Sequence, residues 1–431
     1  MKTKVSLLLV ILLALGWYQT TQLVLKTPAN IREHIARAEK YEKKEIYEDA
    51  LEEYRLAVQL GEKDGKIRRK VAEMQLKLED NSGFISTCEA LIYDKSMDEE
   101  ALKMLTDYYA SDGKKSVAVE LLKELRSKNQ NSKTLDELWN TYRGYYEETP
   151  YSYDAVTPFY QGCSIAEFEG KYGLINEKGE TIIPLVYEQV GFLEKEREVV
   201  PVCEDGKWYY LNTKIHKKIV PDETYEYLGV ISEDMAAVMK DGKYGFADKE
   251  LAAQTELKWE EVSHFSDGIA AVKTNEKWAL IDDSFAQITD DVYEDIAMNE
   301  NGFCCGQERV FAKSKDGYRM LNQKGEGIGN DVYEDARPFE TDALTAVKKN
   351  SKWGFVDTSG NVVVDYMYED ARAFTQGVAA VKKNGKWGYI NASNEMIVEP
   401  AFEDAYPFEE NGMAPVKNEY WHFIHLYAIA S

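Results

Sequence analysis

Eight aromatic residues in the second part of the chain recur at nearly equal spacing, and this recurrence constrains the fold more than any other feature. Tyr172, Trp208, Tyr244, Trp278, Tyr318, Trp353, Trp387 and Trp421 are separated by 36, 36, 34, 40, 35, 34 and 34 residues. A period of this length marks a repeat architecture, in which one small unit is copied and stacked. The clearest copy is VAAVKKNGKWGYIN, Val378 to Asn391. Its two strand-like runs flank Asn384-Gly385, a dipeptide suited to a tight hairpin because both residues tolerate positive φ.

Every unit follows one grammar. A strand such as Leu344–Lys348 or Val378–Lys382 leads through a turn into the strand that carries the anchor aromatic. A second turn follows at Gly179, Gly325, Gly360 or Asn394, and then a third strand. An aromatic-acidic connection ends the unit: Tyr293-Glu-Asp295, Tyr333-Glu-Asp335, Tyr368-Glu-Asp370 and Phe402-Glu-Asp404. A phenylalanine recurs shortly after it, at Phe265, Phe339, Phe374 and Phe408, and Phe159 belongs to a leading half-unit. Runs such as Val378-Ala-Ala-Val381 are apolar on both faces, so each sheet must be covered on both sides. Small antiparallel sheets with that need stack into a propeller or an open superhelix. About seven units are expected over residues 153–431. The half-units Tyr153–Phe168 and Met413–Tyr427 are able to complete each other and close a ring.

These residues resemble the WG, or KWG, repeat family of bacterial proteins. Lys352-Trp353-Gly354 and Lys386-Trp387-Gly388 carry the full motif, while Tyr172-Gly173 and Tyr244-Gly245 keep the glycine. Trp208-Tyr209, Trp278-Ala279, Tyr318-Arg319 and Trp421-His422 lose it. The resemblance implies an architecture, with the eight aromatics as structural anchors, and no particular activity.

Upstream, Ile31 to Gln130 shows apolar residues at helical spacing, broken at Gly61, Gly65, Gly83 and Gly113. A period of 34 aligns Ala50 with Phe84 and Ala118, Tyr54 with Cys88 and Leu122, and Ala57 with Leu91 and Leu125. With Ala38 and Tyr41, the run YEDALEEYRLAV resembles the tetratricopeptide repeat. Gln75 and Phe84 depart from that pattern, and its terminal proline is missing. The expectation is a short α-solenoid over 31–146, two good repeats and one degenerate, with a capping helix near Leu135–Tyr146 and a linker at 147–152. Such a solenoid offers a peptide groove or serves as a spacer. The fold class is thus a multidomain α + β chain, helical repeats first and an all-β array second.

Lys2 and Lys4 precede an apolar run from Val5 to Tyr18, the order of an export signal. Leu23-Val24-Leu25 extends the run, and Trp17-Tyr18 suits a membrane interface. Residues 1–26 are therefore expected as an uncleaved signal anchor with the bulk of the chain extracytoplasmic. The alternative is secretion after cleavage.

The net charge of −24 is unevenly spread: +3 over 1–26, −5 over 27–150 and −22 over 151–431. Such a surface repels phosphate backbones, which argues against a nucleic-acid partner. Cys88, Cys163, Cys203, Cys304 and Cys305 lack the spacing of a disulfide framework or a zinc site. Cys304-Cys305 fall in an apparent insertion. No cofactor, metal or catalytic set is expected, since the chain has no phosphate-cradling glycine loop, no nucleophile elbow and no H-E-x-x-H.

The candidate binding residues are the paired carboxylates Glu294/Asp295, Glu334/Asp335, Glu369/Asp370 and Glu403/Asp404. Superposed by the repeat, they form a belt able to attract a cation or a basic partner. The competing role is capping of turns by accepting backbone N–H bonds. Like carboxylates in like settings argue against a glycosidase, which needs two unlike ones. The reading is therefore a non-enzymatic scaffold binding a protein partner. The alternative is a glycan-binding module using Tyr187, Tyr225 or Tyr368 for stacking. A catalytic role would need one unit that breaks the pattern, and the stretch Asn299–Arg309 deviates most.

Overall fold

The computed structural model describes residues 28–128, 132–290 and 292–429. They form two compact units, divided between Tyr142 and Arg143.

In the first unit, seven helices follow one another: α1 (28–42), α2 (Tyr47–Gln59), α3 (Gly65–Lys77), α4 (Asn81–Ile92), α5 (Glu99–Ser111), α6 (Lys115–Ser127) and α7 (Lys133–Tyr142). Their starts repeat at 34 residues: Tyr47, Asn81 and Lys115 in one series, Gly65, Glu99 and Lys133 in the other. The caps repeat too. Asp64 and Asp98 accept N–H bonds from Lys66 and Ala101, and the Ser132 hydroxyl accepts one from Leu135. Each cap satisfies a donor that the first helical turn leaves open, worth about 1 kcal/mol. Ala38, Ala50, Ala57, Ala72, Ala101 and Ala118 are wholly buried. Their lack of bulk lets adjacent helices approach closely. The terminal helix stops at Tyr142, short of the expected Tyr146.

The second unit contains eight antiparallel sheets. In chain order these blades span 155–187 (blade 1), 189–219 (2), 227–248 (3), 261–282 (4), 295–322 (5), 335–368 (6), 370–402 (7) and 404–426 (8). Strand alternation explains why they must stack. In blade 7, Ala379, Val381 and Ile390 pack against blade 6, whereas Val378, Ala380, Trp387 and Tyr389 pack against blade 8. Eight such apolar clusters occupy the eight spaces between neighbouring blades, and the last joins blade 8 to blade 1 through Phe423, Trp421, Val156 and Ile175. The cycle is complete, so the array is a closed eight-bladed propeller.

Closure does not follow the expected route. Blade 1 fills itself with its own strands Cys163–Phe168, Lys171–Asn176 and Thr181–Tyr187. Blade 8 is completed instead by Tyr146–Glu148, which pairs antiparallel with Trp421–Leu426, Glu147 facing His425. Thr149 N–H and Tyr153 N–H continue the ladder to the Phe423 and Trp421 carbonyls at 2.8 and 2.9 Å. Residues 147–152, expected as a linker, therefore seal the ring. The count of about seven units rises to eight because the final half-unit gains this strand.

Of the eight anchors, Trp208, Trp278, Tyr318, Trp353, Trp387 and Trp421 are buried, and Tyr172 and Tyr244 are half-buried. Cations cover several, as Arg337 does over Trp353 and Arg372 over Trp387. The glycine of the motif serves the outer strand. A β-carbon on Gly388 would lie 2.5 Å from the Val398 carbonyl oxygen, and one on Gly173 would lie 2.5 Å from that of Ile183. Blades 1, 6 and 7 keep the glycine and have seven-residue outer strands that cross at this point, whereas blade 3 keeps Gly245 and has only the isolated bridges Tyr244–Trp259 and Ala247–Ala253. Blade 2, with Tyr209 in its place, has only Lys218–Ile219.

Among the described residues, no helix is long and apolar enough to cross a membrane. Residues 1–26, on which the anchor expectation rests, lie outside the described residues.

Candidate functional site

The blade that breaks the spacing supplies the centre of the ring. Between its inner strand, Asp295–Ile296, and its next long strand, Arg309–Ser314, blade 5 carries extra chain. Asn299 folds this segment: its Oδ1 accepts N–H bonds from Asn301 at 3.1 Å and Phe303 at 3.0 Å. Gly302, at φ +83°, completes the turn where a β-carbon would meet the His264 ring at 3.1 Å. Phe303 is thereby held on the axis. It stacks on Tyr160 of blade 1 with ring centres 4.9 Å apart, and it clusters with Phe192 of blade 2 and Val230 of blade 3. In a ring of eight, blades 1 and 5 are opposite, so this contact runs across the middle.

Further bonds fasten the plug around the ring. His264 N–H of blade 4 donates to the Gly302 carbonyl at 2.9 Å, and Glu300 pairs with Arg372 of blade 7. Asn299 Nδ2 donates to Glu340 Oε1 of blade 6 at 2.9 Å. Asn301 Nδ2 donates to the Phe159 carbonyl of blade 1 at 3.5 Å. That donor leaves Asn301 Oδ1 enclosed and without a partner; the whole residue is 8% exposed.

Beside the plug lies a cavity of about 150 Å³, lined by Phe159, Asn301, Glu340, Thr375, Phe408 and Glu409 among others. Its carboxylates sit in unlike settings. Protein crowds Glu340, and this loss of hydration raises its pKa to about 7, against a smaller lowering by the Asn299 bond. Burial also raises Glu409, partly offset by nearby Lys195. The arrangement collects hydrogen-bond acceptors and apolar rings in one small space. The Cys304 thiol, 3.4 Å from Ser263 Oγ, is pushed up to about 11 by burial, and burial raises Cys305 as well. Both are protonated at neutral pH, which suits packing rather than redox exchange.

The carboxylates singled out in the sequence lie elsewhere, and the structure does not bring them together. Glu369 accepts the Asn384 and Gly385 N–H groups of its own hairpin at 3.0 and 2.8 Å, and Glu334 accepts that of Ser351. Glu294 and Glu403 face Lys277 and Lys386. Asp295, Asp335, Asp370 and Asp404 each accept the N–H of the following residue at 2.8–2.9 Å. Asp404 also accepts from Arg372 of the preceding blade, and Asp370 lies 3.5 Å from Arg337. Of the tyrosines considered for stacking, Tyr225 and Tyr368 are 3% and 4% exposed, so their rings are spent on the core.

Sequence reasoning missed Glu340, Glu409 and Thr375. A signal existed: each directly follows the recurring phenylalanine, as Tyr160 follows Phe159 and Ser266 follows Phe265. This position faces the axis and varies from blade to blade.

Residues 172–208, 224–244, 255–278, 332–353, 353–387 and 387–420 match the family model described as WG containing repeat. The matches do not extend to the helical unit. A search of curated proteins finds no match. Among solved structures, the chain is similar to a eukaryotic initiation factor (10% identity, TM-score 0.42, covering 65% of this chain and 89% of that one). It is also similar to the dihydro-heme d1 dehydrogenase NirN (11%, 0.39, 67% and 80%). A third is PorZ, a surface component of the type-IX secretion system of Porphyromonas gingivalis (8%, 0.36, 63% and 42%). Likeness this distant carries no information on activity.

Proposed function

Because residues 172–420 carry WG containing repeats and belong to a closed ring, we propose that the protein is a non-enzymatic interaction scaffold of a bacterial cell envelope. The observation that supports this reading is the ring itself. Its ends are sealed by Tyr146–Glu148 against Trp421–Leu426, and its centre is filled by Phe303, which makes a rigid platform of eight sets of loops. Rigid scaffolds that present variable loops are suited to recognition. The helical unit, with its tetratricopeptide-like period, supplies a second surface. Residues 1–26 direct export and hold the chain at the membrane, with a protein partner on the outer side. The acidic surface of the array favours a basic partner.

The test combines location and binding. The full chain is expressed in a bacterium, and protease is added outside intact cells. Digestion of the array is expected, and full protection refutes export. Proteins cross-linked to the exposed array and released by high salt support the scaffold. Retention on isolated cell wall, competed off by free sugar, would assign a glycan ligand instead.

A further inference from the structure

Independently of that interaction role, the outer hairpin of blade 2 reverses the charge of the array around it. From Lys207 to Pro221 the chain carries four lysines, Lys207, Lys214, Lys217 and Lys218, and no acid. The same fifteen positions of blades 1, 3, 4, 5, 6 and 7 each hold at least two acids, as Glu177 and Glu180 or Asp357 and Asp365. The lysines surround apolar side chains that the hairpin turns outward. Residues 214–220 are all exposed, with Ile215 and Val220 at 69% and Ile219 at 40%.

This exposure is built into the turn. Asn212 Oδ1 accepts the Lys214 and Ile215 N–H groups at 3.1 and 3.0 Å, and Asn212 N–H donates to the Lys217 carbonyl at 2.9 Å. Lys218 and Ile219 are fixed by pairing with Leu211 and Tyr210. Ile215 therefore cannot fold back onto the blade. Apolar groups held in water are costly, and a patch of them rimmed by charge marks a docking surface. The rim is cationic, so the surface that complements it is anionic. An anionic bilayer offers both parts at once, phosphates for the lysines and an apolar boundary for the side chains between them. Lys214 and Lys218 face Glu198 and Glu204 at 2.5 Å, but these lysines are 73% and 53% exposed, and ion pairs so exposed are weak. The acids of the other blades are screened beyond about 10 Å at 0.1 M salt. We propose that the outer hairpin of blade 2 docks on an anionic phospholipid surface. Ile215 and Val220 enter the headgroup layer, and Lys214, Lys217 and Lys218 meet the phosphates.

The test reads the hairpin itself, since the apolar amino-terminal run Val5 to Tyr18 is able to bring the chain to any vesicle. The five native cysteines are buried, so Val220→Cys in the full chain takes a single environment-sensitive fluorophore. Vesicles of phosphatidylcholine alone are compared with vesicles half phosphatidylglycerol, and with soluble poly-glutamate. The expected result is emission shifted to the blue and about threefold or more brighter on the anionic vesicles. Added salt, Ile215→Ser, or Lys214→Glu with Lys217→Glu and Lys218→Glu should each remove most of that gain. Lys217→Glu alone, expected to lower it about twofold, decides the matter if the triple variant does not fold. No gain on either vesicle, an equal gain on both, or an unchanged gain in the folded variants would overturn the proposal. A gain with poly-glutamate and none with vesicles would also overturn it and assign the hairpin to an acidic protein.

Discussion

Gly388 and Glu340 show how much single positions decide. At Gly388 the outer strand of blade 7 crosses so closely that a methyl group would meet the Val398 carbonyl and the Pro400 nitrogen. Backbone cannot rotate away as a side chain can. Gly388→Ala is therefore expected to destabilise the array by about 2 kcal/mol or more, read as a lower urea midpoint. Blade 4, with Ala279 at this position, has only the isolated bridges Trp278–Tyr293 and Ile281–Gln287 at its outer edge. Glu340 works in the opposite direction. Its folded pKa of about 7 lies above the ordinary value of 4.5. The folded state thus binds the proton more tightly, and stability falls as pH rises from the unfolded value through 7. Glu340→Gln is expected to stabilise the protein at pH 8 by on the order of 1–3 kcal/mol and to leave it nearly unchanged at pH 4. Thermal melts at the two pH values check this, and an equal effect at both would contradict it.

At the scale of elements, the plug and the sealing strand hold the ring in complementary ways. Phe303 belongs to blade 5 yet packs on Tyr160, Phe192 and Val230 across the axis. Phe303→Ala is expected to cost about 3–5 kcal/mol, as loss of a buried aromatic does. A double-mutant cycle with Tyr160→Ala should show a coupling of about 0.5–1.5 kcal/mol. Additive effects would mean the two rings do not meet. The strand Tyr146–Glu148 explains which parts of the fold could be read in the sequence. Long strands such as Val378–Lys383 announce themselves by apolar runs and an Asn-Gly turn, and the anchor spacing gives their repetition. Tyr-Glu-Glu has no such pattern, because it lies at an edge with both glutamates exposed, and its partner is about 280 residues away. Its pairing comes from the ring's need for a last strand and not from local preference. Fragments starting at Arg143 and at Pro150 should therefore differ, the second melting lower and less cooperatively.

For the molecule as a whole, a period of 34 in the helical unit and of 34–40 in the β-array dictates the two repeats, while the axial pocket lies outside any periodic reading. Repetition places equal residues at equal heights, and Glu369 or Asp404 accordingly meet the same kind of turn or arginine in their blades. The pocket draws on the position after each recurring phenylalanine, where Glu340, Thr375 and Glu409 differ. It also needs Asn301, which only the irregular blade 5 provides. Four blades and the blade 5 insertion meet there, a convergence visible only after the ring closes. Closure is thus the central claim, and native-state hydrogen exchange tests it most directly. In a closed ring the Thr149, Tyr153, Trp421 and Phe423 amides exchange only with global unfolding, because all four are bonded across the seam. Exchange of Thr149 and Tyr153 at the rate of free chain, while the Ala380 and Tyr389 amides stay protected, would show an open array and contradict the account.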